Sequence, residues 1–440
     1  MNPLQSIHGW GRYPVIKTEI VAPLVLSSFK TEVQNGGVGG IIARGLGRSY
    51  GDSSLAMLML ETRSLNHLLN FDRETGVVTS NAGVSLATLL DVFVPMGWFL
   101  PVTPGTKYIT LGGAVASDVH GKNHHLRGCF CEYVESIELL LDPDTVLQCS
   151  RTLHPELFHA TCGGMGLTGI ILSVTLRLKP VHTTFIDQQT IKAANLSELL
   201  ALFEANQATT YSVAWIDCLA TGSSLGRSLL MMGEHASGND FAGKEKYPIT
   251  IPVDMPSNLL NRFSIRLFNS LYYNRIIRKE VRQRVHYESF FYPLDGIQHW
   301  NRLYGKNGFT QYQFVIPKEA GHEGMSRILK EIVASGKGSF LAVLKVFGEQ
   351  NSNYLSFPLK GYTLALDFKI EEGLFPLLER LDAMVLDYGG RIYLTKDVRM
   401  SEQTFKKSYS RWQEFQAIRE QYGTIGMFAS YQSRRLGLDT

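Results

Sequence analysis

The stretch Gly40-Gly-Ile-Ile-Ala-Arg-Gly-Leu-Gly-Arg-Ser-Tyr-Gly-Asp52 constrains this chain more than any other. Its apolar and small residues predict a buried strand that breaks at once into a glycine-rich turn carrying positive charge. Gly45, Gly47 and Gly51 free the backbone to approach a ligand closely. Successive N–H groups in such a turn form a concavity that suits phosphate oxygens. With Arg44 and Arg48 beside it, the expectation is a cradle for the pyrophosphate of a dinucleotide. Two other motifs compete for these residues. Gly47-Arg-Ser-Tyr-Gly51 satisfies the nucleophile elbow of hydrolases, which would make Ser49 the nucleophile, but that motif needs a helix directly after the serine. Here Asp52-Ser-Ser-Leu leads into Ala-Met-Leu-Met-Leu, a loop and a short strand. A Rossmann fingerprint fails too, because Gly45-x-Gly47-x-x-x-Gly51 is one residue too long and opens no helix.

The chain has 440 residues, enough for two domains with separate cores. Its formal charge of +3 gives no strong overall field, so wholesale nucleic-acid binding is not expected. Five cysteines (Cys129, Cys131, Cys149, Cys162, Cys218) are an odd number in a large chain, which points to buried or idle thiols in a reducing compartment. The start, Met1-Asn-Pro-Leu-Gln-Ser-Ile-His-Gly-Trp10, lacks a charged region followed by an apolar run. No apolar run is long enough to span a bilayer. The expected location is therefore cytoplasmic, with peripheral contact at the inner membrane; the periplasm is the alternative.

Strand and helix signals alternate along the chain. Val77–Gly83 reads as a strand, Ser85–Val94 as a helix capped by its serine, Leu111–Ser117 as a short helix with glycines for close packing, and Tyr133–Leu141 with Val146–Cys149 as a hairpin. Gly164-x-Gly166-x-x-Gly169 matches the dinucleotide pattern by letter but in inverted context, with a helix before it and a strand after. That strand is clear, since Leu172, Val174, Leu176 and Leu178 alternate with polar residues up to Pro180. A boundary at Pro180 predicts domains 1–180 and 181–390, with 391–440 returning to the first. In the second, strands (Tyr211–Asp217, Phe309–Pro317, Phe340–Phe347, Tyr362–Phe368) and helices (Leu196–Glu204, Met325–Ser335, Leu374–Tyr388) predict antiparallel sheet covered by helices, an α+β arrangement. The last residues predict a short strand at Arg391–Leu394 and one polar helix around Gln403–Tyr422.

Between Asn261 and Arg284 lie seven basic residues (Arg262, Arg266, Arg275, Arg278, Lys279, Arg282, Arg284) against one acidic, Glu280, interleaved with Phe263, Ile265, Leu267, Phe268, Leu271, Tyr272, Tyr273, Ile276 and Ile277. A solvated basic helix over a core is the plain reading. The functional one is an interfacial segment that attracts anionic headgroups while apolar residues dip into lipid.

The opening stretch together with His120-Gly-Lys-Asn-His-His125 resembles the flavoprotein oxidase subunits of decaprenylphosphoryl-β-D-ribose 2-epimerases. These belong to the vanillyl-alcohol oxidase / p-cresol methylhydroxylase superfamily of FAD enzymes. The resemblance extends from Gly9-Trp-Gly-Arg12 through Pro104-Gly-Thr106, Gly112-Gly-Ala114, Gly163–Ile171, Ala214-Trp215, Gln311–Pro317 and Ser356-Phe-Pro358 to Lys396-Asp397. It implies a two-domain FAD-binding fold of that type with a central antiparallel-sheet substrate domain. In it Arg44, Gly45, Leu46, Gly47, Arg48 and Ser49 cradle the pyrophosphate. Pro104, Gly105, Thr106, Gly112, Gly113, Ala116, His120, Gly166, Gly169 and Ile171 line the rest of the cofactor. Some members of the superfamily attach FAD through a histidine where this sequence has Arg48, so non-covalent FAD is expected. Ala365 stands where actinobacterial members carry a cysteine, so no thiol chemistry is expected there.

The implied reaction is oxidation of the ribose C2 hydroxyl of a polyprenyl-phosphoryl ribofuranose to a ketone, with an NADH-dependent ketoreductase as partner enzyme. Lys396 is the main catalytic candidate, as base or as electrostatic stabiliser, followed by His120 and Lys122. Tyr50, Asn123, Trp215, Gln311, Gln313 and Tyr393 are candidates for sugar and phosphate contacts. As strand residues, Gln311 and Gln313 share one face, where burial without a ligand would be costly. A metal site at His120 and His124 is not expected, because Gly121 and Asn123 disfavour a helix between them. The alternatives are an FAD oxidase of a soluble sugar or polyol, the Ser49 hydrolase, and a flavin-binding protein without turnover.

Overall fold

Strand-forming residues with period-two burial build three main sheets in this computed structural model, which describes residues 4–36, 39–241, 249–256 and 258–439. Met1–Pro3, at the head of the stretch read for a leader signal, lie outside the described residues. The first sheet has four strands: Gln5–His8 pairs antiparallel with Val15–Val21, and Leu58–Glu61 lies parallel to both Val15–Val21 and Ile41–Arg44. The second has five antiparallel strands, with Ile170–Arg177 at its centre between Val77–Asn81 and Val134–Leu140. Its alternation is the one the sequence announces: Val174 and Leu176 are fully buried.

The third sheet carries eight strands, all antiparallel. Their order is Glu280–His286, Phe185–Ala193, Ser228–His235, Tyr211–Ile216, Ala342–Phe347, Gly361–Lys369, Phe309–Pro317 and Arg391–Ile392. One face is apolar. Ala214, Ile216, Leu230, Phe314, Leu344, Leu364 and Leu366 pack with the helices Leu196–Ala205, Gly321–Ser335 and Leu374–Asp387 into the largest core. The opposite face presents Trp215, Val343, Lys345, Ala365, Gln311 and Gln313. Strand register sets them in rows: Trp215 faces Val343, Val343 faces Ala365, and Ala365 faces Gln313. Among the described residues the chain is mixed helix and sheet with antiparallel sheets dominant.

Two expectations are corrected. The polar helix around Gln403–Tyr422 is two helices, Glu402–Ser408 and Trp412–Gln421. The break falls at Tyr409, fully buried with its hydroxyl donating to Ile392 O at 2.7 Å, while Arg391 Nε donates to Ser408 O at 3.0 Å. A tertiary anchor, not a glycine or proline, ends the first helix. The basic segment is likewise not one helix. Arg262–Asn274 is helical, started by a capping box between Asn261 and Ser264, and Glu280–His286 is the edge strand of the large sheet.

Candidate active site

After the strand Ile41–Arg44 the chain turns away from its sheet partner, and the turn Gly45–Ser49 leaves its amides without a ladder. Among the described residues, the backbone N–H groups of Leu46, Gly47, Arg48 and Ser49 have no hydrogen-bond acceptor. Four consecutive unpaired donors beside a cavity are costly unless an anion or water accepts them. Gly47 has φ +60°, and a Cβ there would run into the Arg44 guanidinium. That guanidinium is folded back: it donates to His8 O at 2.7 Å and to Ser54 O and Oγ at 3.2 Å. Arg44 is thus a brace beneath the turn and not part of the cavity wall. Arg48 does line the cavity, its guanidinium 4.0 Å from the centre of the Trp10 ring.

The cavity, about 390 Å³, runs from this turn across bare backbone to the polar face of the eight-stranded sheet. Its wall includes Gly105, Gly112, Gly113, Gly166 and Gly169, so main chain rather than side chain faces the space. Thr110 caps the Leu111–Ala116 helix through Gly113 N, and Gly166 and Gly169 take positive φ. Thr106 Oγ1 and Lys107 N donate to Asp295 at 2.7 and 2.9 Å, fixing the Pro104–Thr106 turn against the Pro293–Asp295 turn.

At the sheet end stand three lysines. Lys396 follows Tyr393, and its ammonium lies 4.0 Å from the centre of the Tyr50 ring. Burial lowers its pKa to about 7, against the pull of Asp367 and with the push of Lys345. Asp367 is fully buried and accepts from Gln311 Nε2 at 2.6 Å; burial raises it to about 7, opposed by that bond and by Lys396. Lys122 donates to Phe290 O and lies over the Phe290 ring; burial, then Lys345, lowers it to about 7. Lys345, on the strand Ala342–Phe347, is lowered by burial to about 8. His120, packed among Phe347, Phe357 and Tyr393, is held neutral: burial first, then Lys345, His124 and Lys396, push its pKa well below 6.5. Gln313 Nε2 donates to His120 Nε2 at 3.1 Å, which places the ring proton on Nδ1, a buried atom with no partner.

Two clamps hold this end in place. Asp118, fully buried, accepts from Asn351, Asn353 and Ser356 at 2.7, 2.8 and 2.7 Å and so fixes the segment leading to His120. Arg435 pairs with both Asp52 at 2.7 Å and Asp397 at 2.8 Å, bolting the end of the glycine turn to the loop that carries Lys396. Gly51 packs so closely on Asp397 that a Cβ would meet the Asp397 carbonyl.

Of the residues expected at a site, Gly45, Leu46, Gly47, Arg48, Ser49, Tyr50, Pro104, Gly105, Thr106, Gly112, Gly113, Ala116, His120, Lys122, Gly166, Gly169, Ile171, Trp215, Gln311, Gln313, Tyr393 and Lys396 line this one cavity. Arg44 and Asn123 do not. The Asn123 side chain is buried and donates to Pro101 O at 2.8 Å, a loop tie rather than a ligand contact. Sequence reading missed Lys345 and Asp367. Lys345 stands between Leu344 and Val346 on the same strand face as Val343 and Phe347, and that lone cation in an apolar alternation was the available signal. His120 and His124 share no helix, since His124–Arg127 begins after Asn123. Among the described residues Ser49 Oγ meets only Ser54 Oγ, at 3.1 Å, and the next element is the strand Leu58–Glu61 rather than a helix.

Unpaired amides for phosphate, bare glycine backbone for a flat elongated group, and polar donors at the far end together fit FAD. The match with a family model described as FAD binding domain covers residues 36–150. The chain is 39% identical to the decaprenylphosphoryl-β-D-ribose oxidase of Mycolicibacterium smegmatis (strain ATCC 700084 / mc(2)155), across 99% of this chain and 98% of that protein. It belongs to that oxidase family. Like other members it is an FAD-dependent oxidoreductase of the vanillyl-alcohol oxidase superfamily. A more distant likeness, 24% identity over 84% of this chain and 83% of the relative, links it to the L-gulonolactone oxidase of Bos taurus. The amide-lined turn, with Gly105, Gly112 and Gly113, falls within the matched residues 36–150, and the sheet strands that carry Gln311, Gln313 and Lys345 lie beyond them.

Proposed function

We propose that this oxidase converts the C2 hydroxyl of a polyprenyl-phosphoryl β-D-ribofuranose to the 2-keto sugar, the first half of an epimerisation. The observation that carries the reading is Lys396: a lysine with lowered pKa and, among the described residues, no acid in ion-pair contact, set on Tyr50 in a cavity shared with the glycine turn. FAD, when bound, supplies the hydride acceptor. Lys396 in its neutral form takes the hydroxyl proton, and Gln311, held by Asp367, and Gln313, held against His120, orient the sugar. The cofactor is held non-covalently, with Arg48 lying on Trp10 at the position where a histidine would make a covalent link. We read 1–180 as the FAD-binding domain, 181–390 as the substrate domain and 391–440 as a segment returning to the first. Arg435, bridging Asp52 and Asp397, supports that return.

A keto sugar must be reduced from the other face to complete inversion, so a separate NADH-dependent ketoreductase is the expected partner. Membrane contact is proposed at the Arg262–Asn274 helix. Ile265 and Asn269 are buried on its inner side, while Phe263 is 78% exposed and Leu271 65%. Lys279, Arg282 and Arg284 are ion-paired within the fold to Glu198, Glu280 and Asp187, so Arg262, Arg266, Arg275 and Arg278 are the cations left for anionic headgroups. No helix among the described residues is long and apolar enough to cross a membrane. The cytoplasmic face of the inner membrane is the proposed site of work.

An anaerobic titration of the FAD-loaded protein tests the reading. Bleaching by a polyprenyl-phosphoryl ribofuranose and not by a soluble polyol supports it. Bleaching by the polyol makes the protein a soluble-sugar oxidase instead.

A further inference from the structure

The three lysines at the sheet end of the cavity differ in what balances their charge. Lys396 has the Tyr50 ring and the field of Asp367. Lys122 has the Phe290 carbonyl and the rings of Phe290 and Phe291. Lys345 has nothing: among the described residues it makes no hydrogen bond, ion pair or ring contact, although it lines the cavity and its charge reaches His120, Lys122, His124 and Lys396. Among the described residues no carboxylate is in ion-pair contact with it. Lys345 is half-buried and lines the cavity, so its unpaired charge is available to an anion bound there. The strand fixes its position, since Lys345 faces Thr363, and Thr363 Oγ1 receives the same Gln313 amide that reaches His120.

We propose that Lys345, with Lys122 beside it, is the subsite for the phosphodiester of the substrate. The inference rests on the proposed substrate class, a glycosyl phosphate with one negative charge, and it supplies the one ion that Lys345 lacks. The geometry also orders the ligand. With the phosphate at Lys345, the sugar extends along Gln313 and Gln311 toward Lys396, and the isoprenoid leaves past the apolar side of the same face, where Val213, Trp215, Met231 and Tyr272 line the cavity. Tyr272 belongs to the Arg262–Asn274 helix and packs tilted against Trp215, with ring centres 4.7 Å apart, so the lipid end of the cavity adjoins the proposed membrane-facing element.

Two measurements on the FAD-loaded full chain separate this subsite from the reaction. In the first, farnesyl phosphate, which carries the phosphate and isoprenoid but no ribose, is titrated into wild type, Lys345→Met and Lys345→Arg by calorimetry. Wild type should bind, Lys345→Met should bind at least about tenfold more weakly, and Lys345→Arg should recover most of the affinity, as loss of a charge-assisted contact predicts. In the second, run at about pH 9 so that Lys396 is neutral whether or not Lys345 is present, anaerobic flavin reduction by farnesyl-phosphoryl β-D-ribofuranose should show the same rise in half-saturating concentration in Lys345→Met, with a limiting rate within about twofold of wild type. Equal binding of farnesyl phosphate by wild type and Lys345→Met overturns the assignment, as does a fall in limiting rate without a change in half-saturation. A shifted flavin reduction potential in Lys345→Met also overturns it, because the lysine would then serve the cofactor. Lysine-dependent binding of farnesyl phosphate without any flavin reduction by the phosphoryl sugar leaves the subsite standing and removes the proposed reaction.

Discussion

The two sides of the cavity recognise by different means. On the glycine side the contacts on offer are backbone amides, at Leu46 to Ser49, with Arg48 the one charged side chain of the turn in the wall, while Arg44 serves as a brace that reaches His8 and Ser54, not the cavity. On the sheet side every group on offer is a side chain, placed by register in rows such as Trp215, Val343, Ala365 and Gln313. The first arrangement tolerates changes of side chain but not an added Cβ. The second tolerates backbone detail but depends on which residue occupies each alternate position. A cofactor shared across a family suits the former, and a substrate that distinguishes members suits the latter.

The sharpest break in this comparison comes from Lys396, the sheet-side group closest in role to the chemistry. Lys396→Met should leave the protein yellow, because the amide turn is untouched, while slowing anaerobic flavin reduction by about 10²- to 10⁴-fold, the range for a general base. In the proposed reaction the neutral amine is the active form. The limiting rate should therefore rise with pH through about 7 and level off above it, falling tenfold per unit below. Asp367 titrates near the same pH, so the observed midpoint belongs to the pair. A rate independent of pH between 5 and 9 would show that Lys396 does not act as the base.

Arg435 tests whether the two sides are held as one unit. Its removal leaves Asp52 and Asp397 buried, at 7% and 2% side-chain exposure, without their shared cation. Arg435→Met should cost about 3–5 kcal/mol of stability, read as a lower urea midpoint, and should release FAD and lower the rate together. Loss of one without the other would mean that the bridge does not couple cradle to lysine loop.

How much of this was legible in the sequence follows the same division. Gln311 and Gln313 could be placed on one face by period two alone, and the glycine turn announced itself by composition. Arg44 was misplaced because a cation next to a glycine loop looks the same whether it faces a ligand or folds back onto His8. The strands Phe185–Ala193, Ser228–His235 and Glu280–His286 were not read as strands. The last is an edge strand whose exposed Arg282 and Arg284 blur the alternation. Lys345 obeyed the same rule as Gln313 but passed as an ordinary strand lysine, since the sequence does not say which strand face lacks a helix.

Gly47→Ala probes the cofactor side by itself. At φ +60° alanine costs about 1–2 kcal/mol, and its methyl displaces Arg44 from His8 and Ser54. FAD affinity, followed by flavin fluorescence on dilution, should fall about tenfold, while saturating FAD restores a normal limiting rate. A low rate at saturating FAD would place Gly47 in the chemistry rather than in binding.

The smallest effect is expected from Ala365→Cys, and it probes the register itself. Ala365 is 8% exposed, in the row between Val343 and Gln313, and it lines the cavity. A sulfur added there extends into the cavity rather than into the core, so the rate should stay within about twofold of wild type, as for a substitution that displaces no neighbour. The five native cysteines are all buried, and burial raises each thiol pKa, so none offers a reactive thiolate. A small alkylating reagent should therefore modify the folded variant once, at position 365, block flavin reduction by substrate, and leave wild type active. If the variant resists alkylation, residue 365 does not face the cavity. The same register then no longer places Gln313 and Lys345 there, and the substrate side of the comparison falls while the cofactor side stands.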